Sequence, residues 1–62
     1  MTFKHETRGQ VSVRARLSVT SEGKEWWVID FDGETMCHKW PEILHVLFRA
    51  RMKREGWVEV DP

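Results

Sequence analysis

Between Val11 and Thr20 apolar and polar residues alternate without a break. Val11, Val13, Ala15, Leu17 and Val19 share one face, and Ser12, Arg14, Arg16, Ser18 and Thr20 the other. A period of two sustained over that run predicts a strand with one face buried. Ser21, Glu22 and Gly23 follow as a turn with Gly at the position that needs positive φ, and Lys24–Phe31 (KEWWVIDF) is rich in the aromatic and β-branched residues that strands favour. A three-residue turn sets the register of this hairpin. It places Leu17 opposite Trp27, Ala15 opposite Ile29 and Val13 opposite Phe31 on the apolar side, and pairs Ser18 with Trp26, Arg16 with Val28 and Arg14 with Asp30 on the other. Asp32-Gly33 suits a type I′ turn, whose two central residues both need positive φ, and predicts a third strand from Glu34 to His38. In that register Met36 joins the apolar side with Ile29, while Thr35 and Cys37 lie on the other.

The period then changes. Pro41 suits the first position of a helix, where its missing N–H is unsatisfied anyway, and Gly56 suits the stop. Glu42 near the start and Arg49, Arg51, Lys53 and Arg54 near the end complement the helix dipole, so a helix is expected over residues 41–55. On a helical wheel Ile43, Leu44, Val46, Leu47, Phe48 and Ala50 fill a broad arc, wider than one small sheet needs, and Glu42, His45, Arg49 and Lys53 form the wet face. Residues 57–60 read as a short last strand, which a right-handed crossover would lay parallel to the first strand at the opposite edge. Residues 1–10 show no sustained period and read as a flexible or irregular arm ahead of a single α+β domain over 11–62.

Length and composition sharpen this. A chain of 62 residues holds one domain. At ~25 cal/mol per Å² the apolar burial of such a chain contributes ~95 kcal/mol, and ordering it at ~1.5 kcal/mol per residue costs about the same, so contact with a partner or a second copy matters for stability. Ten Lys plus Arg balance ten Asp plus Glu, which removes the general argument from basic excess for nucleic acid or an anionic membrane. A single cysteine allows no disulfide within the chain, and no long apolar run occurs, which points to a cytoplasmic protein without membrane attachment.

Chemistry-bearing constellations are few. Cys37 with His38 or His45 is the only nucleophile and base combination, but neighbours on a strand point to opposite faces, and His45 falls on the far side of the helix. His5, Cys37, His38 and His45 do not form the two close pairs typical of structural zinc. The acidic pairs, Asp30 with Asp32 and Glu22 with Glu25, sit in or beside turns, and the glycines are isolated turn glycines rather than a phosphate loop. No enzyme activity, metal or cofactor is implied.

Four tryptophans in so short a chain are the unusual feature. Trp27 reads as core, and Trp40 and Trp57 as packing at the two ends of the helix. The alternation that buries Trp27 turns Trp26 and Val28 outward, onto a face with Arg14, Arg16 and Lys39. Trp and Arg are the residue types most enriched at interface hot spots. The first functional reading is therefore a small protein-binding module, a regulator or inhibitor of a larger protein of the phage or mobile-element accessory kind. It is expected to self-associate and to use Arg14, Arg16, Trp26, Val28 and Lys39 on the sheet with Arg49 and Lys53 on the helix.

The second reading is nucleic-acid binding. A three-stranded meander backed by one helix, over about residues 11–55, resembles the arrangement in plant AP2 domains and in the arm-binding domains of some integrases. The likeness is one of architecture, with no shared motif. It implies DNA contact through Arg and Trp on the sheet, here Arg14, Arg16 and Trp26, with Lys39 completing the contact set and phosphate contacts giving steep salt dependence.

Overall fold

The computed structural model describes residues 1–60. It is an α+β domain whose elements run β1 (Thr2–His5), β2 (Gly9–Ser12), β3 (Arg16–Val19), β4 (Glu25–Phe31), β5 (Glu34–His38), α1 (Pro41–Arg54) and β6 (Val58–Val60). The strands form two antiparallel sheets, ordered β2-β1-β6 and β3-β4-β5.

The β3-β4-β5 meander has the expected registers. Arg16, Leu17 and Ser18 face Val28, Trp27 and Trp26, and Trp27 through Phe31 face His38 through Glu34. The turns explain why. Gly23 has φ 82°, and the chain closes through Thr20 N–H to Lys24 C=O at 2.8 Å. The Thr20 hydroxyl also accepts the Lys24 N–H at 3.1 Å. Asp32 (φ 54°) and Gly33 (φ 76°) both adopt the left-handed conformation that a type I′ turn requires.

Three expectations are corrected. The alternating run from Val11 to Thr20 is not one strand: its first half ends β2, its second half forms β3, and residues 13–15 bend between the two sheets. The side-chain alternation survives the bend, since Val13 is buried and joins the core, but Ala15 and Val13 do not pair with Ile29 and Phe31. A strand that bends from one sheet into another turns a corner without losing its inward face.

Residues 1–10 are not an irregular arm. Phe3 pairs with Val11 and Thr2 with Ser12, and Phe3 is 2% exposed. His5 organises the turn: its Nδ1 accepts the backbone N–H groups of Thr7 and Arg8, each at 3.2 Å, which leaves the ring proton on Nε2, 3.2 Å from the Glu55 carbonyl. Finally, β6 is not an edge of the meander: it does run in the same direction as the start of the Val11 run and at the opposite edge from it, but within the β2-β1-β6 sheet. It pairs antiparallel with β1, Lys4 facing Val58. Of the domain assigned to 11–62, residues 61 and 62 lie outside the described residues.

The helix packs on β4, β5 and β6 through one stripe, Leu44, Phe48 and Met52, spaced one turn apart and fully buried. Phe48 is the hub, with its ring centroid 5.8 Å from that of Phe3 and 5.9 Å from that of Phe31, both edge-on. At the helix end Gly56 (φ 88°) donates to Lys53 C=O at 3.2 Å and Trp57 N–H to Met52 C=O at 2.9 Å, a Schellman closure. It turns Trp57 back into the core, where its ring meets Phe31 and His5.

Candidate protein interface

The two ends of the domain differ in kind. At one end the turns are tied together. Arg8 pairs with Asp32 at 3.3 Å and lies 5.3 Å from the Trp57 ring centroid, Arg51 pairs with Glu34 at 3.2 Å, and His5 reaches the helix terminus. At the other end β5 stops at His38, opposite Trp27, and α1 begins only after it. Ser18, Val19, Glu25 and Trp26 therefore have no β5 neighbour and no helix above them. The tip of the β3–β4 hairpin is a two-stranded projection, and an isolated two-stranded ribbon is marginal in water.

Each face of that projection exposes large apolar side chains. Leu17 is 45% exposed and Val19 58% on the side that looks toward the helix, and Trp26 is 38% exposed on the other. Trp40, in extended conformation at the N-terminus of α1, is 54% exposed, with the Lys39 ammonium 5.6 Å from its ring centroid. Lys24, Glu25, Trp26 and Lys39 line a depression at this end. A second groove, on the helix side, runs between Ala15, Trp27, Pro41 and His45.

The residues expected to bind fall in different places. Arg16, Trp26 and Val28 share the outer sheet face, as the alternation requires, with Lys39 beside Trp26. Val28 is only 7% exposed, which corrects its reading as a contact residue. It occupies the central strand between Arg16 and Cys37, with Trp26 and Asp30 before and after it on the same face, and longer neighbours close over a short β-branched side chain. Arg14 is not beside Asp30. It lies in the bend, on the rim of the helix-side groove, because β3 starts at Arg16.

Asp30 instead accepts from Arg16 at 2.9 Å and from the Thr35 hydroxyl at 2.6 Å. The Thr35 hydroxyl first, and then the Arg16 guanidinium, hold the Asp30 carboxyl below the usual carboxylate range. Arg49 is engaged as well, gripping both carboxylate oxygens of Glu59 at 2.8 and 3.1 Å, with Lys53 exposed nearby. His45 is half-buried on the groove rather than on the wet face of the helix.

Arg49 also sets a pH dependence. Its hydrogen bond holds the Glu59 carboxyl below its ordinary value. A carboxyl lowered in the folded state contributes stability above its unfolded value and loses it as pH falls through the folded one. Wild type and Glu59→Gln should differ by less than about 1 kcal/mol at neutral pH, given how exposed the pair is, and should converge in acid. Urea unfolding at a series of pH values checks this; a gap that widens in acid contradicts it.

Leu17, Val19 and Trp40 are the exposed apolar residues that alternation assigns wrongly or leaves unmarked, since an inward parity is not burial when nothing lies above it. The signal is in the lengths: the second strand of the meander outruns the third by two residues, Glu25 and Trp26, since the pairing ends at Trp27 with His38. Cys37 is exposed on the outer face, and the His38 Nδ1 accepts the Trp40 N–H at 3.0 Å. Among the described residues no three His, Cys, Asp or Glu side chains gather as metal ligands, and no helix is long and apolar enough to cross a membrane. Compared with protein-family models, with curated proteins and with solved structures, the chain shows no significant match.

Proposed function

We propose that the protein is a non-enzymatic binding module that docks onto a larger protein, as a regulator or inhibitor, through the projecting end of the β3-β4-β5 sheet. One observation carries the reading: Leu17, Val19, Trp26 and Trp40, four large apolar side chains, are all more than a third exposed at the one end that the domain leaves without cover. None of the four belongs to the hydrophobic core or packs against it, and burial of such side chains against a partner is the ordinary source of interface energy. Lys24, Glu25 and Lys39 around Trp26 supply the polar rim that such patches carry. Against nucleic acid as the ligand stand the neutral total, the pairing of Arg16 with Asp30, and the position of Arg14 away from the outer face.

Quantitative pull-down from native-host extract, with mass spectrometry, tests the reading by comparing wild type with Trp26→Ala and Val19→Ser. Both variants should keep wild-type circular dichroism, and each should weaken the captured partner about 30-fold or more, the loss of one hot-spot contact. Lys53→Ala, far from this end, should change nothing. A partner that is retained by both variants, or a low-salt gel shift abolished by Trp26→Ala, overturns the proposal.

A further inference from the structure

We propose that two copies of this chain associate about a two-fold axis through the free edge of β5, joining their meanders into one six-stranded antiparallel sheet. This surface is separate from the projecting hairpin and does not rest on the function proposed for it. β5 is the last strand of its sheet, and Glu34-Thr35-Met36-Cys37-His38 contains neither the Pro nor the Lys with which edges are commonly blunted.

The register follows from the turn. In a two-residue hairpin the residues flanking the turn, Phe31 and Glu34, form a hydrogen-bonded pair, and such pairs alternate along the ladder. The backbone groups of Glu34, Met36 and His38 therefore point at β4, and those of Thr35 and Cys37 point away from the sheet. Antiparallel pairing of two β5 edges uses these outward groups most fully when Thr35 of each copy faces Cys37 of the other and the axis passes through Met36. That register also sets each Glu34 opposite the other copy's His38, on the helix side. His38 Nδ1 already accepts the Trp40 N–H, so its proton is on Nε2, free to donate to the facing carboxylate. The strand is thus complementary to itself in charge and in hydrogen bonding.

The helix supplies the apolar part. Arg51 reaches Glu34 on β5, and Arg49 reaches Glu59 on β6, which fixes which flank of α1 overlooks β5. Beyond Arg51 on that flank lie Leu47 (46% exposed), Ile43 (42%), Ala50 and Val46. At ~3.3 Å per strand residue and 1.5 Å per helix residue, the step from Glu34 to Met36 corresponds to about four residues of helix, so the axis passes near Val46 and Leu47. Antiparallel helices centred there set Ile43 against the second copy's Ala50, large against small. The spacing agrees as well. Strands about 4.8 Å apart place two helices that each straddle β4 and β5 about 10 Å apart, the distance at which helices pack.

Sedimentation equilibrium from micromolar to high-micromolar concentration reads the association. Wild type should dimerise. Leu47→Glu, a substitution at an exposed site, should weaken the dimer about 100-fold by placing two unpaired charges beside the axis, with unchanged circular dichroism. Thr35→Cys reads the register: a hydrogen-bonded antiparallel pair has Cα atoms ~5.5 Å apart, suited to a disulfide, so mild oxidation should give a covalent dimer linked from residue 35 to residue 37. Trp26→Ala should dimerise as wild type does. A wild type that is monomeric throughout, a dimer indifferent to Leu47→Glu, or linkage only between the two Cys37 residues overturns the proposal.

Discussion

Replacing Phe48 by Ala should leave little folded protein. The side chain is fully buried, and its ring meets Phe3 from the β2-β1-β6 sheet and Phe31 from the β3-β4-β5 sheet. Buried Phe→Ala changes cost about 3–5 kcal/mol, the lost transfer energy plus the cavity left behind. A domain of this length is stable by only about 3–9 kcal/mol at 0.05–0.15 kcal/mol per residue, so the substitution removes between a third and all of it. Neither sheet can collapse into the space without pulling away from the helix stripe, which argues for the upper part of that range. The expected result in a thermal melt is a midpoint lowered by tens of degrees, or no cooperative transition at all. Lys53→Ala, also on α1 but exposed, should change stability by less than about 0.5 kcal/mol. A Phe48→Ala protein that melts within a few degrees of wild type would show that the two sheets do not share this residue as their common contact.

The second large effect is at the N-terminus. Phe3→Ala should destabilise the domain by about 3–5 kcal/mol, and removal of residues 1–8 should prevent folding. Phe3 is 2% exposed against Phe48, and β1 is the central strand of its sheet, holding β2 on one side and β6 on the other. Without β1, the backbone of β6 loses its ladder and Trp57 loses the His5 ring that lies 4.9 Å from its own. The irregular arm suggested by the absence of periodicity would instead be removable at no cost. Chemical denaturation of the two variants decides between these accounts. A truncated chain with a cooperative wild-type transition would return residues 1–8 to the status of an arm.

The N-terminal hairpin escapes a reading of periodicity because each of its strands is four residues long, too short to display a period. Its cues are local: alternation through Thr2-Phe3-Lys4-His5, and Gly9 with φ 85° where the turn ends. The candidate interface was half legible in the same way. Alternation placed Trp26 outward correctly, while Leu17 and Val19, which share the parity of Ile29, are exposed because the helix begins short of them. The broad apolar arc of the helix was also visible in the sequence; that Leu44, Phe48 and Met52 would take the core and leave Ile43, Val46 and Leu47 outside depended on where the sheets lie.

The sequence by itself determined whatever is enforced within a few residues. Turns that demand positive φ at Gly23, Asp32 and Gly33 set the registers of the meander, and Pro41 and Gly56 bound the helix, because φ restrictions and missing donors act locally. Only the tertiary structure decided which strand Val11 to Thr20 would join, where β6 would pair, and which inward-facing side chains would find cover. Those outcomes depend on contacts between residues far apart in the chain, such as Phe3 with Phe48 and Lys4 with Val58, whose free energy is shared among many partners and leaves no mark on any short stretch of sequence.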